Sequence, residues 1–312
     1  MEIALMTEPQ AGGTYEDLLA LARWAAEHGL DAFARSDHYL DTQGSAPTVA
    51  TDALATVAGL ARETERIRLV VLVSPITFRH PAVLAKTAAT IDQMAAGRFA
   101  LGVGTGWMER EHRAFGMEFY NRRERFTRLG EVLGYLRAAF HGGAYSGEYY
   151  RLEDFPVLPR PSRGLEIIVG GAGLSRTPAL AGRFADEYNL MMADTNVIRT
   201  RIAAMRNAAR SEGRDPDAIR VSAMAWLVVG SDERDYRERL GEGGAALGLS
   251  ADEYEALLER QSVPRGTPDQ LASQMSALAG VGVERIYLEM LEPLPEIDTE
   301  RLRVTVEAIR SI

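Results

Sequence analysis

The 312-residue chain has no cysteine and a single lysine, Lys86. The first absence excludes disulfides, thiolate nucleophiles and cysteine-ligated zinc or iron–sulfur centres. The second leaves one amine nucleophile, and Lys86 falls inside a helical run, which argues against a cofactor-free lyase or isomerase built on a strand-end lysine or carboxylate cluster. Histidine is scarce, with five scattered residues and no HExxH-type pair, so no metal site is expected. No apolar run approaches the roughly 20 residues that span a bilayer. The start, MEIALMTEPQ, lacks the basic and apolar segments of a secretory signal, so a cytoplasmic location without a membrane partner is expected. Net charge is −9 and the short basic stretches are interleaved with acids, which argues against nucleic acid as a partner. Internal repeats and low-complexity segments are missing too.

What the chain does have is an alternation of two patterns, apolar β-branched runs and amphipathic runs of helical period. Strands are expected at residues 3–6, 31–36, 67–73, 98–104, 165–170, 187–192, 220–230 and 283–291. Helices are expected at 14–28, 49–65, from Pro81, at 122–140, 175–184, 197–212 and 299–309, with a mostly helical, acidic stretch over 232–279. The unbroken run IRLVVLV (67–73) fits a parallel strand buried on both faces. Gly29 follows the first helix as a C-cap does, and Pro81 opens the third helix, where its missing N–H costs nothing. The stretch 141–164, rich in Gly, Pro and Tyr, reads as a surface excursion with room for a short hairpin. Eight β/α pairs without a linker point to an α/β fold, one (β/α)8 TIM barrel over 1–312 as a single domain, with insertions after strands 4 and 7. A doubly wound open sheet is the runner-up.

In such a barrel, function sits in the loops after the strand C-termini. That rule selects Met6 and Thr7, SDHY (36–39), SPITFRH (74–80), GTGW (104–107), GGAGLSR (170–176) and MADTN (192–196). His38 suits proton transfer near neutral pH with Asp37 to orient it; the plain alternative is a histidine satisfied by backbone at a loop start. Gly170, Gly171, Ala172, Gly173, Leu174, Ser175 and Arg176 join a strand to a helix, where free N–H groups hold a phosphate, unless the glycines serve only to turn the chain. LGVGTGWMER (101–110) is no dinucleotide fingerprint, because its third glycine comes one residue early and its strand is the fourth. Gly102 and Gly104 instead allow a flat object or the backbone to approach closely, with Thr105 and Trp107 at the mouth. Trp107 is either a core or lid aromatic or a substrate wall. Glu109, Glu111 and His112 read as solvated surface, the run 122–131 as a salt-bridged helix face, and His28, His80 and His141 as structural.

SDHY, the block VLVSPITFRHPAVLAKTAATIDQMAAGRFALGVGTGW (71–107) and GGAG before a helix together resemble the luciferase-like monooxygenase superfamily over nearly the whole chain. The resemblance implies a TIM-type barrel holding FMN or the deazaflavin coenzyme F420 at its C-terminal mouth. SDH and GVGTG look most like the F420 branch, in which the residue matching His38 is the catalytic acid/base and the one matching Asp37 lies near the ring system. Leu72, Val73 and Ser74 match a strand-3 bulge, often with a non-prolyl cis peptide, behind the ring; Gly104, Thr105 and Gly106 would flank the ring, and Gly170 to Arg176 would hold the phosphate. Related sugar-phosphate dehydrogenases carry a catalytic acid directly after GVGTG. This chain has Trp107 there, with Glu109 as a weak stand-in, and both are expected to bind substrate. The implied enzyme is an F420-dependent oxidoreductase moving a hydride to or from a small organic substrate. The alternative is an FMN-dependent monooxygenase that uses O2 and reduced flavin from a partner reductase; a cofactor-binding protein without turnover is a third reading. Barrels of this superfamily commonly form homodimers.

Overall fold

The computed structural model describes residues 1–42, 49–154, 158–161 and 164–312. Eight strands form one closed parallel barrel: β1 (Glu2–Thr7), β2 (Ala32–Arg35), β3 (Arg68–Pro75), β4 (Phe99–Gly104), β5 (Glu166–Gly170), β6 (Glu187–Met191), β7 (Arg220–Ala225) and β8 (Arg285–Met290). Each strand pairs with its sequence neighbours, and β8 closes the ring on β1 with Glu2 beside Arg285 and Met6 beside Glu289. The expected barrel is therefore present and the open sheet is not.

The helices around it are α1 (Tyr15–Glu27), α2 (Ala53–Glu63), α3 (Pro81–Met94), α4 (Glu109–Ala114), α5 (Arg122–His141), α6 (Arg176–Phe184), α7 (Thr195–Ser211), α8 (Glu233–Ala246), α9 (Ala251–Arg260), α10 (Pro268–Gly280) and α11 (Thr299–Arg310). Local chemistry sets their starts. Thr14 and Asp17 form a reciprocal capping box on α1, satisfying N–H groups that otherwise lack partners. The second helix begins later than the expected residue 49, because Asp52 caps it by accepting from the Ala55 amide.

Leu69, Val70 and Val71 of β3 are all fully buried, the both-faces burial that their unbroken run anticipates. Each such side chain contributes about 1.5–3 kcal/mol of transfer free energy. The larger hydrophobic core lies between barrel and helices, whereas a smaller cluster of Ala4, Met6, Ala32, Ala34, Val70, Leu72, Ala100, Ile168 and Tyr287 fills the barrel interior. Four of those nine residues are alanines.

The expected strand 220–230 is corrected: it stops at Ala225, and Val228–Val229 pairs instead with Arg265–Gly266 outside the barrel. That departure launches the insertion after β7, where α8 and α9 build a separate cluster from Tyr236, Leu240, Tyr254, Leu258 and Val263. The insertion after β4 holds α4 and an antiparallel hairpin of Tyr145–Ser146 with Arg151–Leu152. Glu131 of α5 accepts the amides of Glu148, Tyr149 and Tyr150 in that hairpin. It is thus not part of a surface ion pair, although Arg128 and Glu124 on the same helix are. Among the described residues, no helix is long and apolar enough to cross a membrane.

Candidate active site

The bulge expected in β3 is present. Register against β4 shifts between Val71 and Ser74, and the Leu72–Val73 peptide is cis. Val73 thereby turns into the barrel, where it packs against the interior cluster. This explains the glycines of β4: a Cβ on Gly102 would lie 2.4 Å from the Val71 carbonyl, and one on Gly104 would lie 2.7 Å from Val73 Cγ2. Of the two partners the sequence left open, the structure shows the chain itself making this close approach. Gly106, at φ +73°, turns the chain out of the strand and presents its carbonyl to Arg125.

His38 stands where β2 opens into the mouth. Its Nδ1 donates to Glu111 Oε2 at 3.1 Å, while Nε2 has no partner among the described residues. Glu111 Oε1 accepts the backbone amides of Tyr39 and Leu40, so one carboxylate fixes both the ring and the loop that carries it. Burial acts to lower the His38 pKa, but the Glu111 hydrogen bond and the charges of Glu111, Glu8 and Asp37 outweigh it, and the net shift is upward. Glu111 moves the other way: burial opposes its ionisation, yet His38 and the two amides hold its pKa below the usual carboxylate value.

The reading of Glu111 and His112 as solvated surface is therefore overturned. Glu111 is 1% exposed and His112 equally buried, since α4 turns them inward together with Met108. His112 Nδ1 donates to the Met108 carbonyl at 2.8 Å and Nε2 accepts from Thr77 Oγ1 at 2.6 Å. The spacing 108, 111, 112 is a helical i, i+3, i+4 face and was the available signal. Glu109 lies exposed at the start of α4.

Asp37 does not orient His38. It accepts from Ser74 Oγ at 2.7 Å and from both terminal nitrogens of Arg79, at 2.5 and 3.3 Å. Arg79 also reaches Asp52 and the Tyr39 hydroxyl, tying β2, β3 and the start of α2 together. Asp52 carried no motif; Arg79 lay in the strand-end stretch 74–80 and in the 71–107 block but was given no role of its own. Trp107 is 65% exposed and meets His38 edge-on, ring centres 5.6 Å apart. Thr105 is half-buried beside it.

Across the mouth, the loop from Gly170 to Ser175 leads into α6. Buried Arg201 braces it by donating to the carbonyls of Ala172 and Met191. Ser175 is the N-cap of α6 but its side chain caps nothing, leaving its hydroxyl and the first helix amides free for another acceptor. A cavity of about 380 Å³ opens there, lined by Arg122, Arg123, Phe126 and residues from Gly173 to Arg176, with no acid. Three guanidiniums around uncapped amides suit a phosphate. Arg122 and Arg123 come from the run read as a salt-bridged face.

Two acids that sequence reasoning missed, Glu8 and Glu289, meet on the floor of the mouth. Glu8 follows β1 by one residue, just past Thr7, and Glu289 lies near the end of β8. Extending the strand-end rule to the eighth strand names Glu289. No group of three or more potential metal-ligating side chains occurs among the described residues.

A family model described as luciferase-like monooxygenase matches residues 2–285. An F420-dependent glucose-6-phosphate dehydrogenase of Nakamurella multipartita is 33% identical over 270 residues, 83% of this chain and 78% of the relative. A pyrimidine monooxygenase of Allorhizobium ampelinum is 33% identical over 57% of this chain, and the match spans only about half of that relative, 49%. An F420-dependent secondary alcohol dehydrogenase, solved with an F420–acetone adduct, superposes with a TM-score of 0.79 at 19% identity, covering 99% of this chain and 97% of that one. The EDTA monooxygenase of Chelativorans sp. BNC1 superposes at 0.83 with 17% identity, covering 100% and 94%.

Proposed function

The chain belongs to the luciferase-like monooxygenase family, and from that premise we propose that it is an F420-dependent oxidoreductase acting on a small organic substrate held at the barrel mouth. The observation that carries this reading is the His38–Glu111 pair. Its imidazole is held at Nδ1, open at Nε2, and disposed by its surroundings to stay protonated.

The residues fit such a coenzyme at both ends. Val73, half-buried and lying over the β4 glycines, offers an apolar surface suited to the face of a planar ring. The acid-free arginine cavity at α6 suits the phosphate. When bound, the deazaflavin supplies the ring carbon that gives or takes the hydride, and the protein's share is geometry and charge. His38 Nε2 delivers or removes the accompanying proton, and Glu111 steadies the imidazolium between these events. Arg79 and Asp37 lock the His38 loop without carrying the proton. Trp107, edge-on to His38, covers the substrate and limits water, and Glu109 lies at its rim. A homodimer in the cytoplasm completes the reading.

Reduced FMN is the second reading, favoured by Trp107 in place of an acid after GVGTG and by the similarity to an FMNH2-dependent dimethylsulfone monooxygenase of Pseudomonas putida, 26% identical over 77% of this chain and 73% of the relative. In that case a partner reductase supplies the flavin. Titrating the cofactor-free protein with F420 and with FMN, followed by fluorescence, separates the two. Tight binding of F420 with oxygen-independent turnover is expected; binding of FMN alone with oxygen-dependent turnover overturns the first reading.

A further inference from the structure

The floor of the mouth holds titratable groups that the reading above leaves idle. Side chains alternate along a strand, so Glu289 faces the barrel interior on the same side as Tyr287, and Glu8 continues the side of Met6, both members of the interior cluster. With Met6 beside Glu289 in the β1–β8 register, the two carboxyls come close enough to interact. Glu8 is 8% exposed. Gln10 donates its amide to Glu8, and Ser36 Oγ donates to Gln10 Oε1 at 2.6 Å, which fixes Glu8 in place.

The charged groups facing Glu8 are Glu289, His38 and Arg35. Arg35 brings its charge but not its protons: its donors go to Thr51, Thr56 and the Ser36 carbonyl. Among the described residues, no guanidinium N–H is thus given to the pair. Two neighbouring carboxylates, Glu8 buried and Glu289 half-buried, repel each other, and one shared proton relieves the repulsion.

We propose that Glu8 and Glu289 hold one proton between them at neutral pH and, through their charge, set how firmly His38 holds its own, which makes them positioning residues for the imidazole proton. Burial and the neighbouring Glu8 push the Glu289 carboxyl up to about 8, and burial raises Glu8 against the bond from Gln10 and the charges of His38 and Arg35. The groups facing His38 are Glu111, Glu8 and Asp37. With one proton the pair carries a single negative charge near the imidazolium; loss of that proton adds a second and strengthens the hold on His38.

The inference rests on the proposed proton-carrying role of His38, but its test needs no coenzyme. Infrared spectra of the full cofactor-free chain are expected to show a protonated-carboxyl band at pH 7 that fades near pH 8 and is lost in Glu289→Gln. The His38 ring resonances are expected to show a second inflection near that pH, lost in the same variant. In the double variant Glu8→Gln/Glu289→Gln, the His38 midpoint is expected to fall by about one pH unit, the effect of one charge at this range. A wild-type chain without the band and without the second inflection overturns the proposal, as does an unmoved His38 midpoint in a folded double variant. The wild-type curves decide by themselves if the double variant fails to fold. Such a negative result leaves the F420 titration intact, and failure of that titration leaves the carboxyl band in place.

Discussion

The two ends of the barrel both bury charge but balance it in different ways. At the N-terminal end every acid of the network meets a guanidinium. Arg285 reaches Glu187 and Glu2 at 2.5 Å each, Arg68 reaches Glu166 at 2.7 Å, and Arg220 spans Glu2, Glu166 and Glu187. The Tyr287 hydroxyl donates to Glu187 as well. At the C-terminal end the Asp37–Arg79 pair follows the same rule, but His38 with Glu111 and Glu8 with Glu289 do not. Their balance depends on protons, which come and go, whereas a guanidinium stays charged at any physiological pH. One end is thus built of fixed charges that hold the ring shut, and the other of charges that change, as expected of a barrel whose chemistry lies at the strand C-termini.

Removing one member from each end tests this division. His38→Ala should lower turnover by about 10²–10⁴-fold, the usual worth of a positioned proton-transfer group, with cofactor binding and melting temperature nearly unchanged. Unchanged turnover with the cofactor bound sinks the assignment of His38. Glu187→Ala should do the reverse. It removes the fully buried one of the two carboxylates that hold Arg285 and leaves Glu2 alone, at a cost of up to about 3–5 kcal/mol, and calorimetry should show the melting temperature down by as much as roughly 10 °C. Well below that temperature the folded fraction should turn over at the normal rate; a specific loss of rate would mean that the two ends are coupled.

The fold was legible because a closed parallel barrel writes itself as period: eight apolar runs alternating with amphipathic ones, the third unbroken because β3 is buried on both faces. The boundaries that slipped, such as the end of β7, lie where Trp226 and Leu227 continue an apolar run that the backbone leaves. The candidate site was legible in part. Strand-end position found His38, Asp37 and the Gly170 loop, and the glycine pattern of β4 found a close approach without identifying Val73 as its cause. What stayed hidden was partnership. Glu111 lies 73 residues from His38, inside MEREHR, where acids and bases alternate as on any solvated helix; only the packing of α4 against the mouth buries it. Glu8 and Glu289 come from opposite ends of the chain, and closure of β8 on β1 alone makes them neighbours.

A smaller effect bears on the proton-dependent end alone. Glu111→Gln keeps a hydrogen-bonding side chain but removes the charge opposite the imidazolium. A hydrogen bond to a charged group is worth about 1.5–3 kcal/mol, so the His38 midpoint should fall by roughly one to two pH units, readable by NMR of the ring protons. An unmoved midpoint would show that Glu111 anchors the Tyr39 and Leu40 amides and does nothing for the proton.

The smallest expected effect is a slope. Glu289 titrates from an ordinary 4.5 up to about 8 in the folded chain, so between these values the folded state binds more protons than the unfolded state. The stability this group contributes is complete below about pH 4.5 and is lost as pH rises towards 8. Glu111, whose pKa is lowered, has the opposite sign: its contribution is lost only as pH falls below the usual carboxylate value, outside this window. Paired fixed charges at the N-terminal end have no proton to exchange there either. Glu289→Gln should therefore gain on wild type steadily from pH 5 to pH 8 in melting temperature, whatever its offset at pH 5. A constant offset across the window would mean that Glu8 and Glu289 share no proton, and the mouth would then differ from the opposite end through His38 alone.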